Sequence, residues 1–276
     1  MLLVTRPSVR WLTLAFALGF ATFSSGPAGA SAQAADDRPA AVDSPEAHAL
    51  LQRMATFLAA QKAFRVTVDC AHDTVQPSGQ KIEFLDRRTL TLKRPDSLRM
   101  DVEAGDGDRS LVVMNPATIT AQKLSENVYA QAEAKPTLEE SLRFFIRDLR
   151  MRMPLALLLV GTLPDELGKR VVQADVVGDS TVLGRPAVQV AGSTGSVDFQ
   201  VWIADGDRPL PLRIVLTYRD ADGEPQFRAN FSDWDLSPWT WKSTFEPKIG
   251  KDARRIAFLT QVRLAAPVAD DAGVSR

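Results

Sequence analysis

Hydrophobic positions recur at two spacings along this chain, and the switch between them marks where helix gives way to strand. Over residues 44–62, Leu50, Leu51, Met54, Phe57 and Leu58 fall on one face at intervals of three and four, which predicts an amphipathic helix. Ser44 is placed to cap it, Pro45 takes the first helical position and Glu46 lies in the first turn. From Phe64 the period drops to two. Phe64, Val66, Val68 and Cys70 alternate with Arg65, Thr67 and Asp69, as in a strand with one face buried. The next run puts Ile82, Phe84, Leu90 and Leu92 on one face and breaks it midway with Asp86 and Arg88, so burial along it is uneven. Leu98, Met100 and Val102 alternate with charged residues, and short strands follow at "SLVVMN", "TITAQK" and "NVYAQA".

The middle of the chain returns to helical spacing. Over residues 136–167, Leu138, Leu142, Phe145, Ile146 and Leu149 line one face, Pro154 and Pro164 interrupt the helices, and "PLALLLV" is apolar nearly all round. A segment apolar on every side must be buried or covered by another element. Strands resume at "VVQADVVG", "RPAVQVAG", "SVDFQVWIA", "LPLRIVLTY" and "QFRANFSDW". Asp106-Gly107, Asp205-Gly206 and Asp222-Gly223 each separate two alternating runs, and Asp-Gly supplies the positive φ that tight hairpin turns require. The pattern predicts an α+β, mainly antiparallel β fold: a meandering sheet with an N-terminal helix and a helical insert. Trp202 lies opposite in parity to Phe199, Val201 and Ile203, so that strand is expected to be covered on both faces. Trp234, Trp239 and Trp241 cluster where the sheet is expected to close and read as packing, with an aromatic wall of a binding site as the alternative.

The N-terminus changes the picture of where this fold works. Arg6 and Arg10 precede the apolar run "WLTLAFALGFATF", and small residues follow in "GPAGASAQA". That run is shorter than the roughly 20 residues of a spanning helix, and the pattern is that of a secretory signal peptide over residues 1–32. No cysteine stands near its end to accept a lipid. The expectation is therefore a periplasmic protein that is soluble, not a lipoprotein, and without a transmembrane anchor after cleavage. A disordered leader over residues 33–43, one domain over 44–264 with the insert at 136–167, and a disordered tail over 265–276 complete the division. Removing Arg6 and Arg10 leaves 31 of the 33 basic residues against 34 acidic ones, a net charge of about −3. Nucleic acid, which wants a basic excess, is not an expected partner. A single cysteine, Cys70, cannot form an internal disulfide and reads as a small apolar core residue.

The order of elements resembles the periplasmic lipoprotein-carrier fold, the LolA-like superfamily. There an amphipathic helix precedes a long antiparallel sheet that curls into an unclosed half-barrel, and a helical lid interrupts the strands. Residues 44–62, the strands from Phe64 and the insert at 136–167 match that order, and Phe245, Pro247 and Gly250 match its closing Phe-x-Pro-x-x-Gly piece. "SPEAHALLQRMATFLAAQKAF", "RPDSLRM", "PLALLLV" and "VDFQVWIADGDRPLPLRIVLTY" are similar to the hallmarks of an exported bacterial group, domain of unknown function 2092. The resemblance implies a half-barrel hollow. Carriers of this superfamily work with a receptor and a basic hook on the concave side, for which Arg65 and Arg88 are the candidates here.

Candidate chemistry is thin. The two histidines, His48 and His72, stand far apart, no Gly-x-Ser-x-Gly elbow is present, and too few ligands exist for a structural zinc site. "EAGDGDRS" lacks the spacing of a calcium or dinucleotide loop and reads as a hairpin turn. No enzyme activity, cofactor or metal is expected. A curved sheet must instead fill its apolar concave face with its own helices, a ligand, or both. An acyl chain of roughly 15 methylenes offers on the order of 12 kcal/mol gross on burial, much of it offset by ordering. The reading is a carrier of a hydrophobic, lipid-like ligand lined by Val66, Val68, Phe84, Met100, Leu142, Phe145, Val201 and Ile214. An envelope interaction or sensor protein with a protein partner is the alternative, and a hydrolase comes last.

Overall fold

The computed structural model describes residues 43–258, so the expected signal segment 1–32, nearly all of the leader 33–43 and the tail 265–276 lie outside the described residues. The first helix, α1 (Pro45–Ala60), starts where the sequence places it: Ser44 is extended and its hydroxyl accepts from the Ala47 N–H at 3.4 Å. Ala47, Leu51, Met54, Ala55 and Leu58 form its buried face.

Six strands follow as a meander: β1 (Ala63–Val75), β2 (Lys81–Lys93), β3 (Ser97–Ala104), β4 (Arg109–Met114), β5 (Thr118–Lys123) and β6 (Val128–Glu133). After the helical insert come β7 (Gln173–Val182), β8 (Arg185–Ser193), β9 (Val197–Ala204), β10 (Pro211–Tyr218), β11 (Gln226–Asp235) and the short β12 (Arg254–Ile256). Among the described residues these form one unclosed sheet of 12 strands in the order β12-β6-β5-β4-β3-β2-β1-β11-β10-β9-β8-β7. Two antiparallel meanders thus meet at the seam between β1 and β11, where Val68 faces Phe231 and Cys70 faces Ala229. The three Asp-Gly pairs lie at hairpin turns, with φ of 84° at Gly107, 92° at Gly206 and 73° at Gly223. Pro211 opens β10, a position where a missing N–H breaks no central ladder. One pairing departs from the antiparallel pattern: β12 runs parallel to β6.

The insert begins with α2 (Leu138–Arg143), closed by a capping box in which Thr137 and Glu140 each accept from the other's backbone N–H. It continues through a π-turn at Phe144–Asp148, a 3-10 turn at Ala156–Leu159 and α3 (Leu163–Arg170). Leu138, Leu142, Phe145 and Leu149 are buried as expected, whereas Ile146 points outward at 38 % exposure. The stripe 138-142-145-149 already fills the inner face, and the widened π-turn carries Ile146 off it. Pro164 does not interrupt a helix; it sits in the first turn of α3, where its missing N–H needs no partner.

The insert and α1 cover one face of the sheet and build the main core with it. The other face carries two small apolar clusters. Phe245, from the closing segment, packs on Leu111 and Val113. Trp202 packs beside Ala187, Ala204 and Leu212, so β9 is covered on both faces as its parity required.

Candidate functional site

Alternation along each strand sends one set of side chains into the hollow. Cross-strand pairing aligns them in rows: Leu92, Phe64 and Leu98 lie deepest, then Leu90, Val66 and Met100, then Arg88 and Val68 with Phe231. Over these rows lies the stretch from Met153 to Leu159 of the insert. Between the two remains a cavity bounded by Val66, Val68, Met100, Leu155, Leu158 and Trp234, among others. It measures about 40 Å³, room for little more than one water at roughly 30 Å³. The hollow is thus filled by the protein's own helices in this conformation.

Two devices hold the insert down. Arg94, at the end of β2, donates from Nη1 to the Leu159 carbonyl at 2.7 Å and from Nε to the Gln61 carbonyl at 3.1 Å. Burial pushes its pKa below the ordinary arginine value, with Glu139 opposing, and its Nη2 is buried with no hydrogen-bond partner. Glu139 accepts from the backbone N–H groups of Gly161 at 2.5 Å and Thr162 at 3.3 Å. The backbone under these latches is unusual. Arg150 and Leu155 have φ of 54° and 65°, a region that costs a side-chain-bearing residue about 1–2 kcal/mol. Leu155 is also part of the cavity wall.

Beyond the insert the concave face opens. Asp86 and Arg88, the break seen in the sequence, form a bidentate pair at 2.5 and 2.9 Å, and Arg88 lies over the Phe227 ring at 5.4 Å. Burial works against the Arg88 charge, but Asp86 outweighs it and holds the guanidinium pKa above its ordinary value. Of the two candidates for a basic hook, then, Arg88 is on the concave face but already paired. Arg65 is exposed and alternates with Phe64 and Val66, so it points to the outer face, which removes it as a candidate. Past the pair, His72 stacks on Phe84 with ring centroids 5.9 Å apart, and Ile82 and Phe84 stand open to solvent. Cys70 lies buried beneath, and burial pushes its thiol pKa up to about 12, which leaves it a small apolar group rather than a nucleophile.

The proposed lining residues divide into three groups. Val66, Val68 and Met100 border the cavity. Leu142, Phe145, Val201 and Ile214 are buried in the surrounding core, the last two on the inner face of β9 and β10. Phe84 lies on the same face but outside the cavity, about half exposed. Sequence reasoning did not assign Met153, Leu155 or Leu158 to the wall, and offered Trp234 there only as the alternative to packing. The all-round apolarity of "PLALLLV" was the available signal. Trp234 packs on Phe64 and Phe231, but at the central seam between β1 and β11 rather than where the sheet ends, and Trp239 and Trp241 do not pack on the sheet. They pair edge-on at 5.4 Å and remain 79 % and 64 % exposed, because the chain turns outward after β11 before Phe245 returns to the sheet.

Among the described residues no group of three or more His, Cys, Asp or Glu could hold a metal. His48 pairs with Asp43 at 2.7 Å near the start of α1, remote in the chain from His72 on β1. A wider groove of about 370 Å³ lies against outward-facing residues of β7–β10, including Asp175, Asp198, Gln200 and Thr217; it is open and lacks a nucleophile-base pair.

With this geometry in place, comparison with known proteins gives the family. The profile described as "Predicted periplasmic protein (DUF2092)" matches residues 47–259. The chain belongs to this family. A search among curated proteins returns no match. Solved structures similar to this DUF2092 chain include an uncharacterised conserved protein from Thermus thermophilus, 14 % identical, covering 77 % of this chain and 99 % of its own, with a TM-score of 0.43. The lipoprotein LppX of Mycobacterium tuberculosis is 12 % identical over 71 % of this chain and 98 % of its own, with a TM-score of 0.45. A LolA superfamily protein from Nitrosomonas europaea is 10 % identical over 75 % and 99 % respectively, with a TM-score of 0.38. No helix among the described residues is long and apolar enough to cross a membrane.

Proposed function

We propose that this DUF2092 protein is a soluble, non-enzymatic periplasmic carrier, exported by the segment 1–32, that holds a hydrophobic, lipid-like ligand in the half-barrel with the insert as its lid. One observation carries the reading: the apolar concave face is closed not by the sheet but by a separate segment, whose Met153, Leu155 and Leu158 border the remaining cavity; in this reading an acyl chain takes their place. Exchange of these side chains for a ligand replaces apolar contact with apolar contact. The net free energy is then far smaller than the gross value of burying a chain, which suits reversible loading. The cavity of about 40 Å³ is too small for such a ligand, so loading requires the insert to lift. The positive-φ residues Arg150 and Leu155 at its base and the π-turn before them are where that movement would be taken up. Val66, Val68, Met100, Leu142, Phe145, Val201 and Ile214 would line the opened site, with Phe84 at its mouth.

The test is to express the protein with its own leader, purify it from the envelope and identify extractable lipids by mass spectrometry. A lipid present in near-stoichiometric amount is the expected result. Absence of any lipid, together with no saturable uptake of a fluorescent fatty acid by the delipidated protein, refutes the reading. A second reading, an envelope interaction protein without a small ligand, is favoured by the exposed Trp239–Trp241 pair. Recovery of a stoichiometric envelope protein that is lost on Trp239→Ala/Trp241→Ala substitution would support it.

A further inference from the structure

The closing segment 239–256 crosses the outer face of the first meander as a strap fastened by its backbone. Arg99 of β3 donates to the Thr244 carbonyl at 3.5 Å, Asn115 after β4 to the Phe245 carbonyl at 3.0 Å, and Gln122 of β5 to the Lys248 carbonyl at 3.4 Å. Asn127 before β6 donates to the Asp252 carbonyl at 3.1 Å, and the Arg254 N–H donates to the Asn127 carbonyl at 2.9 Å. Phe245, buried on Leu111 and Val113, is the anchor. Four strand spacings separate β3 from β12, so the strap covers roughly 20 Å of the face.

The fastening uses carbonyls, and the strap's charged side chains stay in water. Lys242, Lys248, Lys251, Arg254 and Arg255 are all exposed, against Glu246 and Asp252 as the acids of the segment. None of the five forms an ion pair with a described residue, and among their side chains that of Arg255 alone is hydrogen-bonded, to the Gln131 carbonyl at 3.4 Å. By contrast Arg99 of β3 and Lys123 of β5, on the strands that the strap crosses, are each paired with an acid. Asp233 and Asp235 end β11, ahead of the strap. Five cations against two acids, in a chain whose net charge is −1, are a local concentration of positive charge.

The strap begins with the exposed indoles of Trp239 and Trp241, next to Lys242. Their rings meet at 5.4 Å, and a turn holds Trp241, whose N–H donates to Thr244 Oγ1 at 3.2 Å and whose carbonyl accepts from the Thr244 N–H at 3.0 Å. Leu124 and Ile256 add exposed apolar groups at the edge where the strap ends. Indole rings settle at the boundary between hydrocarbon and head groups, and cations beside them meet lipid phosphates. An acidic protein would use the cations but would need a pocket for two neighbouring indoles; an anionic bilayer takes both at once.

We propose that the strap is a membrane-docking surface, with Trp239 and Trp241 entering the headgroup boundary of an anionic bilayer and the five cations lying along its phosphates. Binding is peripheral and reversible, since two side chains and a row of surface charges fall far short of a spanning segment. The strap lies on the opposite face of the sheet from the hollow, so the inference does not depend on the carrier reading.

Co-sedimentation of the full mature chain with vesicles tests it, one set of phosphatidylcholine alone and one of phosphatidylcholine and phosphatidylglycerol in equal parts. A cation at an anionic surface is worth roughly a fivefold gain. With two of the five engaged, the mixed vesicles should bind at least about 25-fold tighter, and salt should shrink that margin. Lipids brominated near the head group should quench part of the tryptophan fluorescence. Trp239→Ala/Trp241→Ala removes exposed rings, so the thermal midpoint should hold. Binding should weaken roughly tenfold or more as the two indoles lose their apolar contact, and the quenching should vanish. Lys248→Glu/Lys251→Glu should remove most of the preference for phosphatidylglycerol. Equal binding of both vesicle types, no binding to either, or binding and quenching that survive Trp239→Ala/Trp241→Ala overturns the inference. Loss of a co-purifying acidic protein in that variant, with vesicle binding unchanged, overturns it in favour of a protein interface.

Discussion

Arg94→Met should loosen the insert while leaving the sheet intact. Methionine keeps most of the aliphatic stem but removes the donors to the Leu159 and Gln61 carbonyls. Two hydrogen bonds from a charged group are worth about 1.5–3 kcal/mol each. Against them stands the Nη2 group, buried without a partner, whose removal returns about 1–3 kcal/mol. Taking the middle of each range, the net loss is about 2.5 kcal/mol, a roughly sixtyfold rise in the open population at about 1.4 kcal/mol per decade. Because the Leu159 bond is the link to the insert, the effect should appear first in native-state hydrogen exchange of Leu158, Val160 and Leu163, whose amides bond within the insert. Amides along β1 and β2 should keep their protection. The loading rate of a fluorescent fatty acid should rise with the exchange rate. If exchange accelerates equally in strands and insert, Arg94 is an ordinary stabilising residue. If the insert exchanges as before, the latch described above does not exist.

Two further perturbations bear on the frame around the site. Gly192→Ala would place a methyl 2.5 Å from the Phe199 ring and 2.6 Å from the Gln173 carbonyl; overpacking against backbone should cost about 1–3 kcal/mol, and a urea midpoint unchanged within error would contradict the close approach. Asp73 accepts from Arg228 at 2.9 Å and from the Gln226 N–H at 2.9 Å; burial tends to raise its pKa, but these partners outweigh it and hold it below 3.8. Its contribution is then complete above the unfolded-state pKa and is lost as pH falls through the lower folded value. Urea melts should find wild type ahead of Asp73→Asn at pH 6, with the gap closing as pH drops below about 4; a gap independent of pH would refute the assignment.

What was legible in the sequence is what a period can encode. The helix from Pro45 and the strands on both sides of the insert follow from spacings of 3.6 and 2, and the Asp-Gly turns from backbone geometry. The ion pair in the hollow was half legible: Asp86 and Arg88 announced a break in an apolar face, but not that they would neutralise each other. The filling of the hollow was not legible, because it depends on the volumes of Met153, Leu155 and Leu158 set against the sheet, and pattern carries no volume. Strand β12 is three residues long, below the length at which alternation can be read. The exposure of Trp239 and Trp241 followed no rule of composition, since tryptophan is ordinarily drawn inward.

The seam between the two meanders has a kinetic consequence. Within each wing, the short β12 beside β6 apart, every strand pairs with its sequence neighbour, so loops are short and closure is fast. Strand β1 is different, for its second partner is β11, and the Arg228–Asp73 bond across that seam spans 155 residues. The first wing can zip up from β2 to β6 as soon as it is free to fold, yet it must wait with one long edge bare until the second wing is complete. Folding should therefore proceed as two quick local events followed by one slow docking. In that interval β1, apolar on its inner face and unpaired along its backbone, is the strand most exposed to capture by another chain.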